Sequence, residues 1–545
     1  MSLRDRLVLP VILSALAVLA GCGSNPTAVP PPTGGFSDTN LSGTYVFSVT
    51  GTDSLGGALM IVGTFIANGK GAVSAGGVID VNGTDTGPIL GQNVTGGSYS
   101  VGADGRAKSQ GGVLTLQTDT GNTYGFDFVL SSSEHGLITE FDNNGSGSGT
   151  LDLQANVTQA NINLQSYAFN FTGSSGVGTV ICNFNFGGNA VIPYAAAGAF
   201  TLDANGLATG IEDFNDNCSS AGGTSGLPIT SGSSVSLASS PGTAILTVNS
   251  VSYNFAVFPI SATHLKFIEV DANPIVSGDA YTQTASVSSG NNIFSLAGFD
   301  MSLGGPFATA GVMNTDGSGN ITQTSVQDIG DLGTAGEITT GITGTYSPLT
   351  GGRAVLTFTG GFVNGNGGLA CANCQFAAYP SSGGLLLLEI DNGGITDGAA
   401  YLQGNSPALV SGQGYGMNLT GFNLSIGTQE DDIVEFTDTS GSFSPGIIDA
   451  NDAGSLSYGN KFTSTYTADS SVTGRGTVTP GDNSYLLTVY SVDAATSVVV
   501  STDPNLVGLG TIVEQNASAK ANAAEAHLAI LRSGANAHKD LKKRN

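Results

Sequence analysis

Four short stretches decide the fold of this chain: Tyr45-x-Phe47-x-x-x-Gly51, Tyr167-x-Phe169-x-x-x-Gly173, Asn292-x-Phe294-x-x-x-Gly298 and Tyr415-x-Met417-x-x-x-Gly421. Large residues two apart lie on one face of a β-strand, so each stretch reads as an opening strand. The stretches recur at steps of 122, 125 and 123 residues. A second signature closes each unit. Asp142, Gly149 and Gln154 stand seven and five residues apart, and the same spacing holds for Asp271, Gly278 and Gln283, for Asp391, Gly398 and Gln403, and for Asp503, Gly510 and Gln515. Spacing kept four times without a gap marks a tandem repeat.

Working outward, the first unit reads as alternating segments near 44–50, 58–67, 71–81, 94–101, 105–109, 112–118, 123–131, 136–142 and 147–154. Asp104-Gly105 and Asn144-Gly145 supply hairpin turns between them. Eight or nine short antiparallel strands per unit predict an all-β meander, closed into a small barrel or folded as a two-sheet sandwich. The modules run over 41–156, 162–285, 290–405 and 412–517. A propeller blade is far shorter than these units, and a parallel β-helix needs a still shorter period. The strand count is similar to that of avidin-like and lipocalin-like barrels, a likeness of architecture that implies no ligand.

Composition agrees. The chain has 545 residues, 82 of them glycine, with 40% hydrophobic and 10% charged, so it is a multidomain globular chain rather than a charged disordered one. Its formal net charge is −26, and between the N-terminal segment and the tail only Lys70, Arg106, Lys108, Lys266, Arg353, Lys461 and Arg475 are basic. Such a surface repels phosphate backbones, which argues against a nucleic-acid partner.

At the N-terminus, Arg4 and Arg6 precede an apolar run from Leu7 to Leu19 that is too short for a permanent membrane span. Leu19-Ala20-Gly21-Cys22 follows and resembles the lipobox of bacterial lipoproteins. The resemblance implies a signal peptide, 1–22, cut before Cys22, and acylation of that cysteine. Each buried acyl CH₂ contributes about 0.8 kcal/mol, so several chains anchor a soluble body durably. Gly23 in place of aspartate implies, by the same resemblance, the outer membrane or cell surface. Residues 23–40, with Pro26, Pro30, Pro31 and Pro32, read as an extended tether. The whole layout resembles Gly-rich β-repeat lipoproteins of soil bacteria, a group that implies an envelope location and no particular activity.

Candidate chemistry is sparse. Cys182, Cys218, Cys371 and Cys374 are even in number, as expected of disulfides in an exported protein, and the expected pairs are Cys182–Cys218 and Cys371–Cys374. No zinc set or nucleophile elbow accompanies them. His135 and His264 read as surface-loop residues, too far apart to act together. Glu140-x-Asp142, Glu269-x-Asp271 and Glu389-x-Asp391 put two carboxylates on one strand face. Acid–base chemistry and cation binding are possible uses of such pairs. Their repetition favours a structural role: capping backbone N–H groups or pairing with Arg106, Arg353 and Arg475. The fourth unit has Ser501 for the Glu, and the second has Thr243 for the Arg. The turns at 213–217, 316–320 and 449–452 have the composition of calcium loops without the spacing. The basic tail, 518–545, reads as a short helix or a disordered segment.

The sequence therefore points to no catalytic, cofactor or metal residues. It points to a non-enzymatic envelope lipoprotein with a structural, spacer or adhesive role, held to the membrane by its lipid. The alternatives are a binder of small molecules or glycans within or between modules, a protein ligand, and, least supported, a carbohydrate-active enzyme.

Overall fold

The opening signature works because it is buried on both faces. In a computed structural model, Tyr45, Phe47 and Val49 point into the first barrel against Phe65, Phe126 and Phe128. Val46, on the opposite face, packs outside the barrel with Met60, Val62, Phe258 and Ile268. The structure describes residues 35–108, 113–178, 190–216, 224–332, 334–364, 370–481 and 485–517. The signal segment, Cys22, Cys182, Cys218 and the basic tail lie outside the described residues.

The protein is all-β, in four antiparallel meanders. The first strands are Ser42–Asp53, Ser166–Gly178, Gly290–Asp300 and Gly414–Asn423, and the last are Gly145–Leu153, Ile275–Thr282, Gly394–Leu402 and Leu506–Glu514. The third and fourth meanders are closed eight-stranded barrels. The first has nine strands because its third position is broken into Ala72–Ser74 and Val78–Gly83 around Gly76-Gly77, and its circuit closes through the first strand, which pairs with both the second and the last. In the second the break falls between Thr224–Ile229 and Ser234–Ser236, and closure rests on the pair Ile229↔Val248 and the isolated bridge Leu207↔Ser234. This decides barrel against sandwich. Of the strand expected near 105–109, the described residues form isolated bridges, Val101↔Ala107 and Arg106↔Val129.

Both signature glycines sit where the first and last strands cross too closely for a side chain. A Cβ on Gly51 would stand 2.0 Å from the Ser146 carbonyl oxygen, and one on Gly149 would stand 1.5 Å from that of Ser48. The crossing recurs at Gly173 against Ile275, Gly298 against Ile395, and Gly510 against Asn418.

Each barrel has its own interior. Phe169, Phe171, Phe255 and Phe267 fill the second, and Phe294, Phe358, Phe362 and Phe376 the third. In the fourth, Met417 and Leu487 stand where the others carry Phe. A narrow apolar gap remains there, between Phe436, Phe443, Phe462 and Val478.

The four barrels close a ring. The leading strands of each barrel pack on the last three strands of the next: first on second, second on third, third on fourth, and fourth back on first. Apolar seams fill the contacts. Ala195 and Ala197 meet Ala377 and Leu386; Ala308 and Ala310 meet Val498 and Val500. The closing seam holds Ile433 and Val513 against Val129 and Leu137. The repeated, non-identical interface is of the head-to-tail kind that forms rings when its rotation closes. The chain enters and leaves every barrel at one end, termed the near end; the opposite end is the far end. Phe36–Asn40, expected in the tether, instead packs on the near end of the first barrel: Phe36 is buried and its N–H donates to the Ala103 carbonyl at 3.1 Å.

Replacing Gly149 by Ala is expected to force the first and last strands apart and to cost about 3 kcal/mol or more in urea unfolding. Gly96→Ala, whose Cβ would have its nearest neighbour 3.9 Å away, is expected to cost less than about 1 kcal/mol.

Candidate functional site: the barrel junctions and the far end

The polar residues singled out in the sequence converge on the junctions between barrels. At the near end the closing Gln of each repeat reaches into the next barrel. Gln154 Nε2 donates to the Pro259 carbonyl (2.8 Å), Gln283 to Gly352 (3.0 Å), Gln403 to Ser491 (2.9 Å), and Gln515 to Asp104 (2.7 Å) and Leu130 (3.1 Å). At the far end an Asn of the third strand does the same. Asn82 donates to the carbonyls of Glu269 and Asp271, Asn215 to those of Glu389 and Gly394, and Asn451 to those of Glu140 and Gly145. The third barrel has Gly330 at this position, and a Cβ there would lie 2.6 Å from the Ser501 carbonyl oxygen. The unit without the Glu is thus the partner of the unit without the Asn. Near end meets near end and far end meets far end, so all four barrels point the same way.

Between these contacts lies an ion pair. Arg353 holds Asp213 of the second barrel through two bonds (2.5 and 2.9 Å), and Arg475 holds Asp328 of the third (2.8 and 2.8 Å). Arg106 pairs with Asp449 of the fourth barrel and with its own Asp104 at 3.0 Å. The Tyr379 and Tyr490 hydroxyls donate to Asp213 and Asp328. Where the second unit has Thr243, the facing Asp80 of the first accepts the Gly91 N–H at 2.5 Å, and burial pushes its carboxyl above the usual range. The arginines therefore do not pair with the Glu-x-Asp motifs as expected. The outer member of each motif caps backbone instead: Asp142 accepts from Gly125 N–H (3.0 Å), Asp271 from Asn254 (3.0 Å), Asp391 from Gln375 (2.6 Å) and Asp503 from Asn505 (2.9 Å). Asp213 and Asp449 lie in strands rather than in the turns expected at 213–217 and 449–452. Asp316 does close a turn, on Ser318 and Asn320.

The inner Glu of each motif is buried. Burial, with Asp271 beside it, pushes Glu269 up to about 10, and burial raises Glu140 and Glu389 as well. Glu212 and Glu435 rise to about 8 by burial. Far-end carboxyls also meet in pairs. Asp331 beside Asp300 and Asp452 beside Glu430 both rise to about 7, through burial first and the neighbouring charge second.

The histidines overturn two expectations. His135 and His264 lie in strands and are 1% and 5% exposed. His135 Nδ1 meets Asp152 at 2.7 Å; His264 Nε2 meets Asp279 at 2.5 Å, which also accepts from Lys266 at 3.0 Å. The ring brings the two groups together. Burial works against the charge on Asp152, but His135, then Lys266 and His264 of the second barrel, hold its carboxyl below the usual range. Equivalent residues of tandem modules stand far apart along a string, but side by side across a closed seam.

Cys371 and Cys374 form a disulfide, with Cα atoms 5.7 Å apart. Among the described residues no three His, Cys, Asp or Glu side chains are grouped to hold a metal ion. Two clefts open beside the near-end linkers, one between Gln154 and Pro259 and one between Thr284 and Ser382.

Asp213→Ala strands the Arg353 guanidinium and the Tyr379 phenol in a buried junction. It is expected to destabilise the protein by about 3–5 kcal/mol in denaturant unfolding. The raised carboxyls set a pH dependence. Their folded pKa values exceed the unfolded ones of about 4, so their stabilisation is complete below that pH and is lost as pH rises through 7 to 10. The melting temperature is expected to fall steadily from about pH 5 to about pH 9. Glu269→Gln is expected to remove part of that fall.

No protein-family model matches the chain, and no curated protein matches it. Among solved structures it shows a faint likeness to transferrin binding protein B from Haemophilus parasuis Hp5, at 10% identity and a TM-score of 0.17, over 73% of this chain and 86% of that one. So slight an overlap bears on neither the ring nor its use.

Proposed function

We propose that this chain is a lipid-anchored, non-enzymatic protein of the bacterial outer membrane or cell surface, whose ring of barrels displays its far-end turns for recognition. The observation that carries this reading is the polarity of the ring. All four near ends share one side, and the chain that leads back to Cys22 leaves from there. Among the described residues the opposite side carries only strand-joining turns, and recognition commonly resides in loops held by a rigid scaffold.

The ring revises the spacer reading, because four barrels closed on themselves gain no reach from being four. Binding inside the barrels has less support, since aromatic side chains fill the first three. An enzymatic role has less support, because the two buried histidines and the three junction arginines are each held by a carboxylate.

Cys22→Ala is expected to abolish palmitate incorporation and to release the protein from the membrane fraction. In intact cells, a membrane-impermeant maleimide is expected to label Leu55→Cys at the far end at least several-fold faster than Leu164→Cys at the near end. Equal labelling, or none at Leu55→Cys, contradicts the outward orientation.

A further inference from the structure

The far end carries a feature that neither folding nor the junctions use. The turn between the first and second strands carries a Ser-apolar-Gly triplet in three barrels, Ser54-Leu55-Gly56, Ser302-Leu303-Gly304 and Ser425-Ile426-Gly427, set one place closer to the strand end in the first. The apolar residue at each tip faces solvent: Leu55 is 73% exposed, Leu303 39% and Ile426 54%. The corresponding turn of the second barrel lies largely outside the described residues.

These tips are held rigidly. Asp53 Oδ1 accepts the Leu55 N–H at 2.9 Å, Asp300 Oδ1 accepts that of Leu303 at 3.0 Å, and Asn423 Oδ1 accepts that of Ser425 at 3.0 Å. A side-chain oxygen closing a turn in this way fixes the backbone before any partner arrives, so little ordering entropy opposes binding. Single exposed apolar residues are ordinary on protein surfaces. An exposed apolar residue at the tip of three fixed turns, on one face of a ring, forms a pattern.

The charge around the tips has one sign. Among the described residues, no segment joining strands at the far end contains Lys or Arg. Asp85 and Asp119 are exposed there, and each barrel adds its half-exposed capping residue, Asp142, Asp271, Asp391 or Asp503. An anionic membrane or a nucleic acid is repelled by such a face, whereas a basic partner is steered towards it.

We infer that the far-end face docks a cationic, amphipathic polypeptide, whose apolar side chains cover Leu55, Leu303 and Ile426 while its Lys and Arg residues meet the surrounding aspartates. The inference rests on the display reading only for access in the cell; the face itself is testable in solution.

The test uses the full mature chain with Cys22→Ser, titrated with a fluorescent eighteen-residue Lys/Leu amphipathic peptide, its Glu/Leu counterpart, oligolysine, and neutral phosphatidylcholine vesicles. The Lys/Leu peptide is expected to bind saturably and more tightly than oligolysine, and to weaken as salt rises. The Leu55→Ser/Leu303→Ser/Ile426→Ser variant alters only exposed tips and should melt as the parent does. It is expected to bind the Lys/Leu peptide about tenfold more weakly, roughly 1.4 kcal/mol, with oligolysine binding unchanged. Leu164→Ser and Leu207→Ser, at the near end, are expected to change nothing. Equal affinity of the triple variant, equal binding of the Glu/Leu peptide, vesicle binding in place of peptide binding, or loss through the near-end variants would each overturn the inference. Failure of peptide binding with far-end labelling intact in cells would leave the display reading in place; failure of the labelling with peptide binding intact would do the reverse.

Discussion

The structure depends on a strand with no solvent face. In each repeat the opening strand and its neighbours present one apolar surface to the barrel interior and another to the outside. The outer surface of Val46, Met60 and Val62, or of Ala308 and Ala310, is buried only when a second barrel covers it. A barrel abolishes sheet edges, but it does not hide an apolar outer wall. Four such walls, each fitted to the back of the next barrel, satisfy one another only as a closed ring. Cooperation between repeats, which in open solenoids leaves terminal units needing caps, needs none in this ring, since the fourth unit covers the first.

The polar contacts give that association its register. Apolar packing is non-directional, so it does not by itself align one barrel against the next. The Gln contacts at the near end and the Asn contacts at the far end fix both height and direction, and the Arg–Asp pairs between them are well buried. Taking such charges out of water is costly, so their value lies more in specifying the arrangement than in net stability. The coupled changes at Gly330 and Ser501 illustrate the constraint: where the Asn is lost, the space for its side chain is lost as well, and the backbones draw together.

Much of the fold was legible because the signature glycines mark backbone crossings that admit no Cβ, and because short alternating runs with Gly and Asn turns have few other solutions. The sequence left barrel and sandwich open, since closure depends on which strands pair. What was missed shares one physical cause: the partners lie in another repeat. Arg353 and Asp213 are 140 residues apart, and Arg106 and Asp449 are 343 apart. His135 and His264 look like loop residues when the seam that buries them is unknown. Two signals were present nonetheless. The closing Gln kept its place in all four units without an evident role inside its own barrel. The residues between the large ones of the opening strand, Val46, Ala168 and Ile293, are apolar where a solvent-facing wall would be polar. The exposed Leu and Ile of the far-end turns were not picked out, because an exposed apolar residue becomes informative only once its equivalents are known to share a face.

Ring closure is tested most directly by small-angle X-ray scattering of the soluble, non-lipidated body. A compact body of this length has a radius of gyration of about 24 Å, and the closed ring should give a value near it with a single-lobed distance distribution. A radius half as large again, with a distribution drawn out towards the length of four barrels in a row, would show that the fourth barrel does not meet the first, and would contradict the closed ring.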